Sequence, residues 1–161
     1  MTVQIMIKTS DSHDKIIDHF QNKWPVMFNN KKRKLNKELL PVNKVKSHYS
    51  SYLKKDIESE YRTVIIAISG DEIIGMILGR IYRSLEVTGY EKRASMGNLY
   101  VRKKYRGKGV AKKLINTFIK WCKSEKVKTI TLSIYKDNKF VQKIYHKIGF
   151  KDQFITMHKK L

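Results

Sequence analysis

The stretch that decides the fold runs Tyr100-Val101-Arg102-Lys103-Lys104-Tyr105-Arg106-Gly107-Lys108-Gly109-Val110-Ala111. Its first residues close a β-like run, its middle holds two glycines one residue apart, and its end opens a long amphipathic segment. There apolar residues recur at Val110/Ala111, Leu114/Ile115, Phe118/Ile119 and Trp121/Cys122, with Lys112, Lys113, Asn116, Thr117 and Lys120 between them. That is a helical period with one apolar face. A strand that passes through glycines into a helix start suits an anion. Glycine adopts positive φ and lets a ligand come close to the backbone. The helix start adds N–H groups without intrahelical acceptors at the positive end of its dipole. Arg102, Lys103, Lys104, Arg106, Lys108 and Lys112 surround the turn with positive charge.

Upstream of this stretch, residues 94–102 read as a strand. Before it, Val64, Ile65, Ile66, Ala67 and Ile68 form a dense apolar run, Gly70-Asp71 supplies a tight turn, and residues 73–82 return as the second strand of a hairpin. Near the start, Val3, Ile5 and Ile7 alternate with polar residues in a first strand. Ser10 or Asp11 caps a helix carrying Ile16, Ile17, Phe20 and Trp24, with Pro25 ending it, and Ser47 caps another through Tyr52, Leu53 and Ile57. Downstream, Ile130, Leu132 and Ile134 alternate with Thr129, Thr131 and Ser133 in a strand. Residues 138–147 read as a helix stopped by Gly149, and a last strand is expected from about Phe154. The order is β-α-α-β-β-β-α-β-α-β. With no repeat and no linker, it predicts one mixed α/β (α+β) domain over residues 1–161.

Composition narrows the function classes. Hydrophobic residues make up 41% and Gly plus Pro only 8 + 2 of 161, which excludes a low-complexity chain. The one cysteine, Cys122, has no internal partner, and the first residues lack a long apolar stretch behind a basic start. Both point to a cytoplasmic protein without a signal peptide. No run approaches eighteen apolar residues, so no membrane span is expected. Five histidines show no H-E-x-x-H spacing and one cysteine makes no structural zinc site, so no metal is expected. The unusual quantity is charge. Thirty-five Lys and Arg against fourteen Asp and Glu give +21, densest over residues 29–46. Such a field attracts anions: nucleic acid, acidic membrane or a phosphorylated ligand. The chain carries no recognisable nucleic-acid-binding motif, and its lysines are spread over most segments.

Among phosphate-binding loops, the Walker A pattern is absent, and Lys112 occupies the third small position that a dinucleotide fingerprint requires. The pattern R-x-x-G-x-A does fit, as Arg106, Gly109 and Ala111. A second constellation follows in N-K-F-V-Q-K-I-Y-H-K-I-G-F: Asn138, Tyr145 and then Gly149-Phe150. On these residues the sequence resembles the GNAT superfamily, acyl-CoA-dependent N-acyltransferases with the signature [QR]-x-x-G-x-[GA] after a central strand. The motifs cover residues 94–150, and the element order elsewhere also matches.

The resemblance implies a central, mostly antiparallel sheet flanked by helices, and acetyl-CoA as co-substrate. It implies that the pyrophosphate lies on backbone N–H groups of Arg106, Gly107, Lys108, Gly109, Val110 and Ala111. The pantetheine arm would run beside Leu99, Tyr100 and Val101, where the strand parts from its neighbour at a bulge. Asn138 would also touch the cofactor, and an amine acceptor would attack the thioester directly, without an acyl-enzyme. Tyr145 matches the position that protonates the departing thiolate. A homodimer is among the partners the resemblance allows. A purely structural reading stands beside each residue: the glycines shape a turn, Tyr145 packs before a Gly-Phe stop, and Asn138 caps its helix. Cys122 lies on the apolar side of its helix and reads as core.

No general base is assigned. Ser95, Met96, Gly97 and Asn98 fill the strand position where many family members carry a carboxylate, and Glu72, Glu86, Glu91 and His48 read as surface groups. Two alternatives accompany the enzyme: a basic nucleic-acid-associated protein, and an inactive acyl-CoA sensor. Positive charge around the expected acceptor side, residues 29–46 and 85–93, favours a neutral or acidic amine over a polyamine or aminoglycoside.

Overall fold

The apolar run after Thr63 becomes the middle of a sheet because it can be buried on both faces, and Val64, Ile65, Ile66 and Ala67 are all at most 2% exposed. In a computed structural model of the chain, residues 2–7, 59–86, 89–157 and 159 are described, without the side chains of Leu85, Glu86 and Tyr90. The two helices expected within residues 10–57 and the basic run at 29–46 lie outside the described residues. Two compact units emerge, residues 1–131 and 132–161.

The first unit holds the sheet. Its strands are β1 (Gln4–Ile7), β2 (Arg62–Ser69), β3 (Glu72–Glu86), β4 (Gly89–Met96), β5 (Tyr100–Val101) and β6 (Thr129–Thr131), with helix α1 (Val110–Ser124) between the last two. The order is β1-β2-β3-β4-β6, with β5 paired to β3. All pairs are antiparallel except β4 with β6. The expected Gly70-Asp71 turn forms, with Gly70 at φ 58°.

Where the sequence predicted one strand over residues 94–102, the structure has two. Met96 faces Gly79 and Tyr100 faces Met76, so residues 97–99 oppose only Ile77 and Leu78. That one-residue excess is a β-bulge, held by the Gly97 N–H donating to Leu78 O at 2.8 Å. A second bulge sits in β3. Ala67 faces Gly75 and Ile68 faces Ile73, which leaves Ile74 as the extra residue. Its carbonyl accepts the Arg102 N–H at 2.8 Å.

Helix α1 packs its apolar stripe on the sheet through Val110, Leu114, Ile115, Phe118 and Cys122, all buried. Each large side chain there contributes about 1.5–3 kcal/mol by leaving water. Two glycines of β3 make the close approach possible. A Cβ on Gly75 would lie 2.9 Å from Tyr100 O and 3.2 Å from Leu114 Cδ1, and one on Gly79 would clash with the edge of the Phe118 ring at Cε2.

The second unit contains α2 (Lys139–Lys147). The strand expected through Ile134 ends at Thr131, because its parallel partner β4 leaves the ladder after Met96. Among the described residues the strand expected from about Phe154 does not form. Residues 151–157 have no regular structure and no ladder partner among the described residues, and unpaired backbone does not make a strand. Phe154, Ile155 and Met157 are 81%, 91% and 88% exposed. No helix of the described residues is long and apolar enough to cross a membrane.

Candidate active site

The glycine turn forms between β5 and α1. A short 3₁₀ turn, Lys103–Tyr105, follows β5, with the Tyr105 N–H donating to Arg102 O at 2.8 Å and the Arg106 N–H to Lys103 O at 3.2 Å. Gly107 and Gly109 then both take the left-handed conformation, at φ 74° and 76°. A Cβ would meet nothing within 4 Å at either position. The glycines therefore answer to backbone conformation and not to protein crowding. Gly109 is the N-cap of α1 and provides no side-chain cap; the Lys113 N–H, donating to Gly109 O at 3.1 Å, closes the first turn. The N–H groups of Val110, Ala111 and Lys112 precede that bond, so they lie among the helix donors with no intrahelical acceptor. Lys108 and Lys112 are exposed beside them, and no acid stands in the first turn. The arrangement can hold an anion.

Arg106, first residue of the motif, turns back. Its Nε donates to Val101 O at 2.9 Å and its guanidinium lies 5.7 Å from the centre of the Tyr100 ring. It braces the loop against β5. Leu99 sits within the bulge and Tyr100 and Val101 form β5. β6 accompanies β4 only as far as Ser95 facing Thr131.

Sequence reasoning missed Glu72 as part of this site. It starts β3, and its carboxylate pairs with Arg102, accepts from Lys104 Nζ at 2.9 Å and from Tyr105 Oη at 2.9 Å. Hydrogen bonds from Lys104 and Tyr105, then the charge of Arg102, hold its carboxyl down to about 2, far below the usual 4.5. The Lys104 ammonium is raised in turn, first by its bond to Glu72. Lys104 Nζ and Lys108 Nζ lie 4.9 and 5.8 Å from the centre of the Tyr105 ring. No spacing rule in the sequence links residue 72 to residues 102–105. The Gly70-Asp71 turn and the Ile74 bulge bring them together.

A carboxylate so strongly ionised is a poor base. Glu91 is also engaged, accepting from Arg93 Nε at 3.1 Å and Thr129 Oγ1 at 3.3 Å. His48 and the side chain of Glu86 lie outside the described residues. Cys122 is buried and its thiol is pushed up to about 12, first by burial, which fits a core residue and not a nucleophile. Among the described residues no group of three or more His, Cys, Asp or Glu gathers to hold a metal.

In the second unit, Tyr145 is buried, and burial raises its phenol above 10. At neutral pH it keeps its proton. Its ring meets Phe150 edge to face at 5.5 Å, and the Phe150 N–H donates to Tyr145 O at 3.1 Å. Gly149, at φ 95°, allows that stop. Asn138 is the N-cap of α2 by its backbone, with the Gln142 N–H donating to its carbonyl at 3.1 Å, but its side chain makes no cap bond. The amide is therefore not used for capping.

Comparison with known proteins bears on the family and the fold of the chain. The family model described as Acetyltransferase (GNAT) family matches residues 24–150. No curated protein matches the chain. Among solved structures, a transcriptional regulator from Bacillus halodurans C-125 is similar at 22% identity and TM-score 0.71, over 98% of this chain and 100% of that one. An aminoglycoside acetyltransferase from an uncultured soil metagenomic sample, in complex with trehalose, is similar at 15% identity and TM-score 0.70, over 99% and 96%. A ribosomal-protein-alanine N-acetyltransferase from Brucella melitensis biovar Abortus 2308 is similar at 16% identity and TM-score 0.68, over 99% of both chains. At such identities the shared property is the fold. With the family model spanning most of its length, the chain belongs to the GNAT acetyltransferase family.

Proposed function

We propose that this acetyltransferase moves the acetyl group of acetyl-CoA to a primary amine by direct attack within a ternary complex. The observation that carries the proposal is the pair of left-handed glycines, Gly107 and Gly109, ahead of a helix start without a side-chain cap. They orient N–H groups of Gly107, Lys108, Gly109, Val110 and Ala111 toward a pyrophosphate, with Arg106 bracing the loop behind them. The bulge at residues 97–99 supports a pantetheine path along Leu99, Tyr100 and Val101, where a strand N–H would stabilise the oxyanion of the tetrahedral intermediate. The amide of Asn138 is a further cofactor contact.

The family resemblance makes Tyr145 the acid for the thiolate. Its proton is retained at neutral pH, and a thiol of pKa about 8.5 is a stronger acid than either this phenol or an alkylammonium of about 10.4. The transfer therefore runs uphill, needs a positioned donor, and is completed when the proton released by the attacking nitrogen returns to the phenolate. Neither Glu72 nor Glu91, both already held by cationic partners, is suited to deprotonate the amine, so the acceptor arrives neutral or loses its proton through water. An acidic peptide N-terminus or a neutral amine suits the +21 field better than an aminoglycoside does. The whole chain then acts as one N-acetyltransferase domain, a cytoplasmic enzyme that forms a homodimer if it assembles at all.

The test is a thermal titration with acetyl-CoA, desulfo-CoA and ATP at fixed salt. Acetyl-CoA at about 100 times its dissociation constant should stabilise by about 2.7 kcal/mol. The shift should be lost in Gly109→Trp, which fills the anion seat and strains a left-handed position. An equal shift with ATP that fades with salt would mean a basic turn and not a CoA site.

A further inference from the structure

Between residues 102 and 112 the chain carries Arg102, Lys103, Lys104, Arg106, Lys108 and Lys112 and no acid. Like charges so close together oppose a single loop conformation. Glu72 reaches this segment from another part of the sheet, and its two oxygens divide the work. Oε1 takes Arg102 just after β5, and Oε2 takes Lys104 and the Tyr105 hydroxyl in the 3₁₀ turn. The Ile74 carbonyl, freed from the β2 ladder by its bulge, takes the Arg102 N–H beside it. The start of β3 thus grips the chain at three of the four positions 102–105, immediately before Arg106 and the two glycines. Tyr105, fixed through its hydroxyl, presents the ring near which Lys104 and Lys108 rest.

We infer that Glu72 is a positioning residue for cofactor binding: by clamping Arg102, Lys104 and Tyr105 it sets the glycine loop in the conformation that receives the pyrophosphate. The inference rests on the acetyl-CoA reading above. It makes a prediction opposite in sign to simple electrostatics. Deleting a negative charge near a polyanion's seat should tighten binding by Coulomb's law, most strongly at low salt. Deleting a clamp should weaken it, because small displacements of positioning groups are costly.

The experiment measures the acetyl-CoA dissociation constant by calorimetry for wild type, Glu72→Gln and Tyr105→Phe at two salt concentrations, with KM and kcat once an acceptor is known. Glu72→Gln should raise the dissociation constant and the acetyl-CoA KM about tenfold at both salts while kcat is kept, since Glu72 touches no reacting atom. Tyr105→Phe, which leaves every charge in place, should move them in the same direction by a smaller factor. Unchanged or tighter binding by Glu72→Gln overturns the inference while leaving the acetyl-CoA reading intact. If that variant does not fold, Tyr105→Phe decides alone, and an unchanged constant overturns it. Wild type that binds no acetyl-CoA overturns the acetyl-CoA reading and this inference together.

Discussion

Tyr145 has a packing role in the structure that leaves its hydroxyl available for the proton transfer proposed above. Its ring is held by Phe150 and its backbone carbonyl by the helix stop, so the structural reading of the Tyr…Gly-Phe spacing is correct as far as it goes. The hydroxyl is not needed for either contact. Tyr145→Phe keeps the ring and the stop and removes only the proton donor. Steady-state kinetics should therefore show kcat reduced about 100-fold, the usual scale for a lost general acid, with the acetyl-CoA dissociation constant and melting temperature little changed. Equal loss in binding and rate would return Tyr145 to a packing role. Glu72 makes the contrasting case. Its chemistry is spent on partners 30 and more residues away, and nothing in its local sequence, a residue after Gly-Asp, distinguishes it from any acid beside a turn. Because its folded-state carboxyl is lowered to about 2, the stability it provides is complete above the ordinary value of about 4.5. That stability is lost as pH falls toward 2. The melting-temperature gap between wild type and Glu72→Gln should accordingly be constant from pH 7 to 5 and close below about 4.5.

At the scale of elements, local pattern was a reliable guide wherever burial and period coincide. The α1 stripe, the Gly70-Asp71 hairpin and the strand-glycine-helix turn could all be read from residue order. The two bulges could not: the family resemblance implies one beside Leu99, Tyr100 and Val101, but residue order alone places neither. Gly97 and Ile74 look like ordinary strand residues, and only the ladder shows that 97–99 exceed their partners by one and that Ile74 stands outside its own. Helix stops divide in the same way. Gly149 announces the end of α2, whereas α1 ends with Lys126 at φ 58°, stabilised by the Val127 N–H donating to Cys122 O at 2.9 Å, a left-handed residue that few sequences would place there. The packing of α1 on β3 is the element-level dependency most open to test. Gly79→Ala would push a methyl group into the Phe118 ring. Overpacking of this kind costs about 1–3 kcal/mol, which denaturant unfolding should register as a lower midpoint with unchanged slope. Adding Phe118→Leu should recover part of that loss although Phe118→Leu alone destabilises. Such a sign of coupling marks two residues sharing one space. Additive losses would show that the helix does not rest on Gly79.

For the whole molecule, fold and charge answer different questions. The order of elements and two short motifs were enough to read an acyltransferase fold, because that fold is organised around a loop whose residues carry their conformation visibly. The acceptor was not legible, and the similar structures explain why: one is an aminoglycoside acetyltransferase and another a ribosomal-protein-alanine N-acetyltransferase. One fold is therefore shared by proteins named for different acceptors, and the fold alone does not select one. In this chain the large-scale feature from which an acceptor preference is predicted is the net charge of +21. A field of one sign changes encounter rates with charged partners and is screened by salt over about 8–10 Å at physiological strength. Two amines of opposite net charge should then respond to salt in opposite directions. With acetyl-CoA saturating, kcat/KM for a peptide with an acidic segment after its free N-terminus should exceed that for an aminoglycoside by about tenfold at low salt. Raising the salt should lower the first value and raise the second, so that the two converge. An aminoglycoside preferred at low salt would mean that acids lining the acceptor side outweigh the distant lysines, and would place the determinant of specificity in local side chains instead of the molecular field.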